Sequence, residues 1–163
     1  ICVGKRYSEF AGTIFQSISG IEAKTAPQVR VDEEAKQNKL VYELIQNRSV
    51  VAVHDISSGG LLSCLVEMIQ GERGLARVGI KIQTSDPVTD LFSENGGYVL
   101  AVSTEKASEV LEKFRDENVD ARSVAVTTEE RDVVIQSGDK VRVSLSMESI
   151  QSAWNAENIL QNT

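Results

Sequence analysis

Apolar side chains recur along this chain with two different periods, and the switches between them predict its elements. Phe10, Ile14 and Ile18 fall at four-residue spacing, which predicts a helix from Ser8 through Ile18 with those three as its buried stripe and Gly20 as its stop. A linker through Pro27 leads to a second helix, capped by Asp32 with Glu33 and Glu34 in its first turn and faced by Leu40, Val41, Leu44 and Ile45. The unbroken apolar run Val50 to Val53 predicts a strand from Ser49 to Val53, central in its sheet. Leu61, Leu62, Leu65, Val66, Met68 and Ile69 cover more than one helical face, so the segment 58–70 reads as a buried helix.

Gly71 and Gly74 bracket a charged turn, after which Val78, Ile80 and Ile82 alternate with Gly79 and Lys81 as in a half-covered strand. Asp86 before Pro87 is a helix start, opening one short helix through Phe92. A strand from Tyr98 to Val102 follows, then a helix over 105–117 with Ala107, Val110, Leu111 and Phe114 on its apolar side. Three short strands come next: Ala121 to Val126, Asp132 to Gln136, and Lys140 to Leu145. Ser137, Gly138 and Asp139 form the hairpin connection between the last two. Ser146 caps a final helix whose stripe, Met147, Ile150 and Trp154, is expected to dock it. The order reads as an α+β fold, a single mixed or antiparallel sheet of four to six strands with packed helices. Periodicity leaves ferredoxin-like and doubly wound arrangements both open. Val53, Leu61, Leu65, Met68, Val99, Leu111, Phe114 and Trp154 are expected to share one core.

Length and charge narrow the function classes. At 163 residues the chain is expected to be one domain with an appended arm, large enough to bury a core without disulfides or metal. A net charge of -7 argues against nucleic acid or an anionic membrane as partner, and no stretch approaches the ~20 apolar residues of a membrane span. One histidine and two cysteines make a zinc site improbable; Cys64 lies in the apolar helix run and reads as a small core residue. The start Ile1-Cys2-Val3 reads as a piece of a longer chain, and the cysteine usage fits the cytosol.

Chemistry concentrates where the first confident strand ends. His54 and Asp55 are followed by Ser57, Ser58, Gly59 and Gly60 and then by the buried helix. Strand, glycine turn and helix in that order point backbone N–H groups at an anion, although the same pattern serves equally as a tight turn. It matches neither of the usual glycine-rich nucleotide fingerprints. Asp55 is a candidate Mg²⁺ ligand, because a hard cation takes oxygen ligands, and equally a candidate turn cap. The hydroxyls of Ser57 and Ser58 suit phosphate or a helix cap. Glu94, before Gly96 and Gly97, is a second ligand candidate or a salt-bridge partner.

These residues carry a resemblance. His54-Asp-Ile-Ser-Ser-Gly-Gly-Leu61 with Val66-Glu-Met68, and then Leu91-Phe-Ser-Glu-Asn-Gly-Gly97, resemble the C-terminal half of phosphoribosylformylglycinamidine synthase, the large synthetase subunit. That family reads His-Asp-x-Ser-x-Gly-Gly-Leu, Ala-Glu-Met and Leu-Phe-Ser-Glu-Ser at the same places. Glu9-Phe-Ala-Gly-Thr13 is similar to the family's Glu-Leu-Gly-Gly-Ser, so the resemblance covers nearly the whole chain. It implies a carboxy-terminal domain of the aminoimidazole ribonucleotide synthase-like superfamily, with residues 1–30 as arm and linker and 31–163 as compact core. The intact enzyme would use ATP and Mg²⁺ to activate the amide oxygen of formylglycinamide ribonucleotide as a phosphate, displaced by glutamine-derived ammonia to give formylglycinamidine ribonucleotide.

On that resemblance Asp55, Ser57, Gly59 and Gly60 contact the phosphates of ATP or ADP, or Mg²⁺; Asp55 is the metal ligand, and no residue of this chain is catalytic. The implied partners are the remaining domains of the same synthetase chain, with glutaminase and small accessory subunits where these are not fused. Thr13, Ala11 and Tyr98 depart from the family's Ser, Gly and Arg, which favours a structural second half, inactive alone. The alternatives are another ATP-using member of the superfamily, or a ligand-free structural or regulatory module.

Overall fold

The computed structural model describes residues 1–70 and 78–160. Its elements are β1 (Cys2–Val3), α1 (Ile14–Ser19), α2 (Val31–Gln46), β2 (Ala52–Asp55), α3 (Gly60–Gln70), β3 (Gly79–Gln83), α4 (Pro87–Phe92), β4 (Tyr98–Ala101), α5 (Thr104–Asp116), β5 (Ala121–Arg122), β6 (Ala125–Thr128), β7 (Asp132–Ser137), β8 (Lys140–Ser146) and α6 (Met147–Leu160). The α+β class holds, with helices packed against antiparallel and mixed sheets. The strands among the described residues form two four-stranded sheets rather than a single one. The chain divides accordingly into two units, Ile1–Leu65 with Asp86–Val124, and Val66–Ser85 with Ala125–Thr163. The turn expected at Gly71 and Gly74 lies outside the described residues.

In the first unit the strand order is β2-β4-β1-β5, every pair antiparallel. β1 is only two residues long, yet Cys2 and Val3 pair on both sides and are fully buried. α2 and α5 pack here, for Leu40, Val41, Leu44, Val110 and Phe114 form one apolar cluster with Val3, Leu100 and Val119. Asp86 caps α4 as its sequence predicts, its carboxylate accepting from the Thr89 N–H with Pro87 in the first turn.

Four expectations fail in this unit. The Val50–Val53 run is not a central strand: β2 begins at Ala52, pairs among the described residues only with β4, and leaves Val51 79% exposed. A β-branched run specifies extended backbone, and the number of partners is settled elsewhere in the chain. The first helix starts at Ile14, not Ser8, because Gly12 sits at φ 79° and Thr13 caps, accepting from the Gln16 N–H. Phe10 is buried, but Ile14 and Ile18 are 48% and 82% exposed. Asp32 lies inside the first turn of α2; Arg30 holds the cap position, its N–H donated to Glu34 Oε1 in the manner of a capping box. Finally, Ala121 to Val126 is two strands in two sheets, divided at the buried Val124.

The second unit has the order β6-β3-β7-β8, with β3 parallel to β7 and the other pairs antiparallel. Register puts Ile80 beside Val133 and Ile82 beside Ile135, all four buried on one face. Leu145 and Val143 continue that face on the edge strand β8 and are 41% and 39% exposed. Ser137 pairs with Lys140 across the two-residue turn Gly138-Asp139, Gly138 taking φ 59° as a tight hairpin requires. Ser146 caps α6 through its hydroxyl, accepting from the Ser149 N–H. Met147 is buried and Ile150 half-buried, while Trp154, expected in the core, is 44% exposed. An apolar stripe says which helix face can be covered, not how completely. Of the other expected core residues, Leu61, Leu65, Val99 and Phe114 are buried, while Val53, Met68 and Leu111 are half-buried.

A polar network in the first unit pins the loop between α4 and β4. The buried Arg6 guanidinium donates to the carbonyls of Asn95 and Gly96, each at 2.6 Å, and to Gly4 O at 3.4 Å. Asn95 Nδ2 donates to Glu9 Oε2 at 2.6 Å, its Oδ1 accepts from Ser93 Oγ and from the Tyr7 N–H, and the same Glu9 carboxylate accepts from Arg30 and from the Gln28 N–H. Arg30 also lies 3.5 Å above the Tyr7 ring. The Arg30 hydrogen bond, helped by Gln28 and Asn95 and opposed by burial, pulls the Glu9 carboxyl from 4.5 down to about 2.

Two outcomes follow from this packing. A folded-state value below the unfolded one means that Glu9 contributes stability fully above about pH 4.5 and loses it as pH falls towards 2. Glu9→Gln should therefore flatten the acid limb of a stability–pH curve in that window, measured by denaturant titration; an unchanged limb would remove Glu9 from this role. Phe114→Ala, emptying a fully buried site, should cost about 3–5 kcal/mol in the same assay.

Candidate functional site

The three segments that carry the sequence motifs meet in the first unit, and a carboxylate joins them. β2 ends at Asp55, opposite Tyr98 of β4, and the Ile56 N–H bonds Gly97 O at 2.9 Å. The chain then turns through Ser57 and Ser58, both exposed, into α3 at Gly60. The Gly60 N–H closes this turn onto Ser57 O at 3.0 Å. The Gly59 N–H is donated to Glu94 Oε1 at 2.8 Å, and the same oxygen accepts the Ile14 N–H at the start of α1 at 2.9 Å. Both glycine N–H groups expected to face a phosphate thus have partners within the chain, one of them an anion.

The pair of glycines is explained by packing. Gly59 and Gly60 take φ of 81° and 72°, backbone that other L residues adopt only with strain. A Cβ on Gly60 would stand 2.7 Å from Leu91 O and 2.8 Å from the Phe92 carbonyl carbon, so the turn seats directly on the end of α4. Above that contact Phe15 of α1 stacks on Phe92, with ring centroids 4.7 Å apart and planes at 17°, and Phe10 leans on Phe15 at 5.3 Å. Sequence reading put Phe10 on a stripe with Ile14 and missed this aromatic stack. Phe15, off the four-residue spacing, was the signal available.

Asp55 leaves its side chain 69% exposed, 3.7 Å from His54 Nδ1, while that nitrogen lies 2.7 Å from Asp55 O. Among the described residues no three His, Cys, Asp or Glu side chains gather to hold a metal ion. Asp55 offers a single carboxylate, so the chain's own donors do not make a Mg²⁺ cage; Mg²⁺ commonly completes its shell with waters and phosphate oxygens. Glu94, the other candidate ligand, has one oxygen engaged by two N–H groups. The arrangement can therefore offer a ligand an exposed carboxylate and two serine hydroxyls beside a rigid, internally bonded turn.

Because Gly60 has no room for a side chain, Gly60→Ala should destabilise the first unit by about 2 kcal/mol or more, through left-handed strain plus the backbone clash. Thermal or denaturant unfolding checks this. Wild-type stability would mean that the turn is not seated on α4.

The chain has relatives among known proteins in fold and in sequence. The fold is shared with Thermotoga maritima PurL complexed with FGAR, at a TM-score of 0.72 and 18% identity over 90% of this chain and 26% of that one. It is also shared with T. maritima PurL complexed with ADP, at a TM-score of 0.62 and 21% identity over 71% and 21%. In sequence the chain is 31% identical to the phosphoribosylformylglycinamidine synthase subunit PurL of Thermoanaerobacter pseudethanolicus, over 94% of this chain and 21% of that protein. It is 30% identical to the PurL of Methanobrevibacter smithii, over 85% and 20%. The chain spans about a fifth of the length of these curated relatives. The model of AIR synthase related protein, C-terminal domain, matches residues 1–138 of the 163, and the chain belongs to that family.

Proposed function

We propose that this chain is the C-terminal domain of an ATP-dependent ligase of purine synthesis, which converts formylglycinamide ribonucleotide and glutamine-derived ammonia to formylglycinamidine ribonucleotide. The observation that carries the reading is the convergence of the three motif segments on Glu94 beside Asp55 and Ser57, in a chain 31% identical to a synthetase subunit over 94% of its length. Phosphoryl transfer is catalysed by positioning and charge neutralisation, so a domain that adds a rigid wall contributes without supplying a reacting group. Asp55 would hold Mg²⁺ together with phosphate oxygens of ATP or ADP, the Ser57 hydroxyl would bond phosphate, and Gly59 and Gly60 would shape the wall. Residues 1–163 act as one domain of a longer cytoplasmic synthetase, with its remaining domains, a glutaminase and small accessory subunits as partners. Among the described residues no helix is long and apolar enough to cross a membrane.

A second reading, a structural domain that takes no nucleotide, is favoured by the Gly59 N–H being bonded to Glu94. Mutation separates the two. In the synthetase chain that contains this domain, Asp55→Asn should weaken Mg·ADP binding at least tenfold while leaving Mg-free ADP within about twofold, by calorimetric titration. Equal Mg·ADP affinity, with the fold intact by circular dichroism, would leave Asp55 as a turn residue and the domain as structural. The 163-residue chain alone should show no ATP-dependent turnover with ammonia; measurable turnover would overturn the reading of an incomplete site.

A further inference from the structure

One buried polar group of the first unit is left unpaired. Gln37 stands on the face of α2 that carries Leu40, Val41 and Leu44, is 5% exposed, and its Oε1 has no hydrogen-bond partner. A buried carbonyl without a donor is a cost that an apolar side chain on this stripe would avoid. Gln37 lines a small pocket together with Lys5, Tyr7, Glu33, Glu34 and Gly96. The space within it is about 10 Å³, room for one water-sized group. Gly96 shapes the wall by lacking a side chain, for a Cβ there would stand 3.3 Å from the Glu34 carboxyl.

What the pocket lacks is a donor. Around it, Arg30 and Asn95 Nδ2 give N–H groups to Glu9, Gln28 Nε2 gives its own to Ala26 O, and the Tyr7 hydroxyl is donated to Glu33 Oε2. The acceptors are not spent. Besides Gln37 Oε1, Glu33 and Glu34 each have one oxygen engaged, by the Tyr7 hydroxyl and the Arg30 N–H, and among the described residues the other is unbonded. Of the nearby cations, Arg30 is neutralised by Glu9, and Arg6 gives its N–H groups to the carbonyls of Gly4, Asn95 and Gly96. Lys5, exposed and with its Nζ 5.3 Å from the Tyr7 ring centroid, remains as the competing charge.

We propose that this pocket binds a primary ammonium group. Its three N–H donors, and its lack of any acceptor, match Gln37 Oε1 and the open carboxylate oxygens of Glu33 and Glu34. The ammonium head is of water size and fills the pocket, while the carbon that carries it lies in solvent. The site includes none of Asp55, Ser57, Gly59 and Gly60 and does not rest on the nucleotide reading.

In the synthetase chain containing this domain, calorimetric titration with methylammonium chloride, against potassium chloride at equal ionic strength, reads the site, since potassium carries the charge without an N–H group. Methylammonium should bind wild type, bind Gln37→Met at least tenfold more weakly, and bind Lys5→Met at least threefold more tightly because the competing charge is gone. A damaged fold does not produce the gain on Lys5→Met, so that variant decides the matter if Gln37→Met fails to fold. Nα-acetyl-lysine amide in place of methylammonium separates two sources of the same chemistry: equal or tighter binding identifies a protein lysine, weaker binding a free amine, and either upholds ammonium recognition. Three results would overturn it: no methylammonium binding to wild type, potassium bound as tightly as methylammonium, or affinity unchanged in Lys5→Met and in a folded Gln37→Met. Each would leave the pocket to a water molecule.

Discussion

The buried guanidinium of Arg6 is the constraint on which the rest of the first unit depends. A cation out of water must be satisfied by what surrounds it, and here two loop carbonyls, those of Asn95 and Gly96, take its N–H groups at 2.6 Å. Burial lowers the Arg6 value from that of an exposed arginine. Arg6 sits three residues after β1, which is itself held between β4 and β5. An inner strand of the sheet and the loop before β4 are thereby tied through one side chain. From that loop Glu94 reaches the glycine turn and the start of α1, and Asn95 reaches Glu9.

This chain of contacts changes what the glycine pair means. Two glycines after a strand and before a helix suggest a surface for an anion, and the φ values of 81° and 72° fit that shape. The backbone of Leu91 and Phe92 beneath Gly60 gives a different reason for the missing side chain, close seating of one element on another. The two causes are not rivals, since a rigid seat is also what a ligand wall requires. They do divide the motif. Gly60 serves the fold, Gly59 meets Glu94, and Asp55 and Ser57 face outward.

Two departures from the family pattern acquire a physical setting. Thr13, where a serine is common, still caps α1 through its hydroxyl and also donates to Phe10 O at 2.7 Å, so the exchange preserves both bonds. Tyr98, where an arginine is common, stands across the β2–β4 ladder from Asp55 and donates its hydroxyl to Asn38 Oδ1 at 2.8 Å.

What the sequence by itself determined is local: periodicity, caps and turns. The Asp86-Pro87 start, the Gly138-Asp139 hairpin, the Ser146 cap and most of the apolar faces of α2 and α5 depend on residues within a turn or two of one another and were legible, although Ile45, assigned to the α2 face, is 46% exposed. The sequence also singled out the segments 54–61 and 91–97, which the fold brings together. Tertiary structure alone decided that the Val50–Val53 run lies at a sheet edge, that Ala121 to Val126 divides between two sheets, and that Trp154 stays half-exposed. It also decided that Glu94 bonds Gly59 and Ile14, residues 35 and 80 positions away. The reason is that a side-chain pattern states what a segment can bury or bond, while burial and bonding are relations with residues remote in the chain. No period records which remote residue arrives.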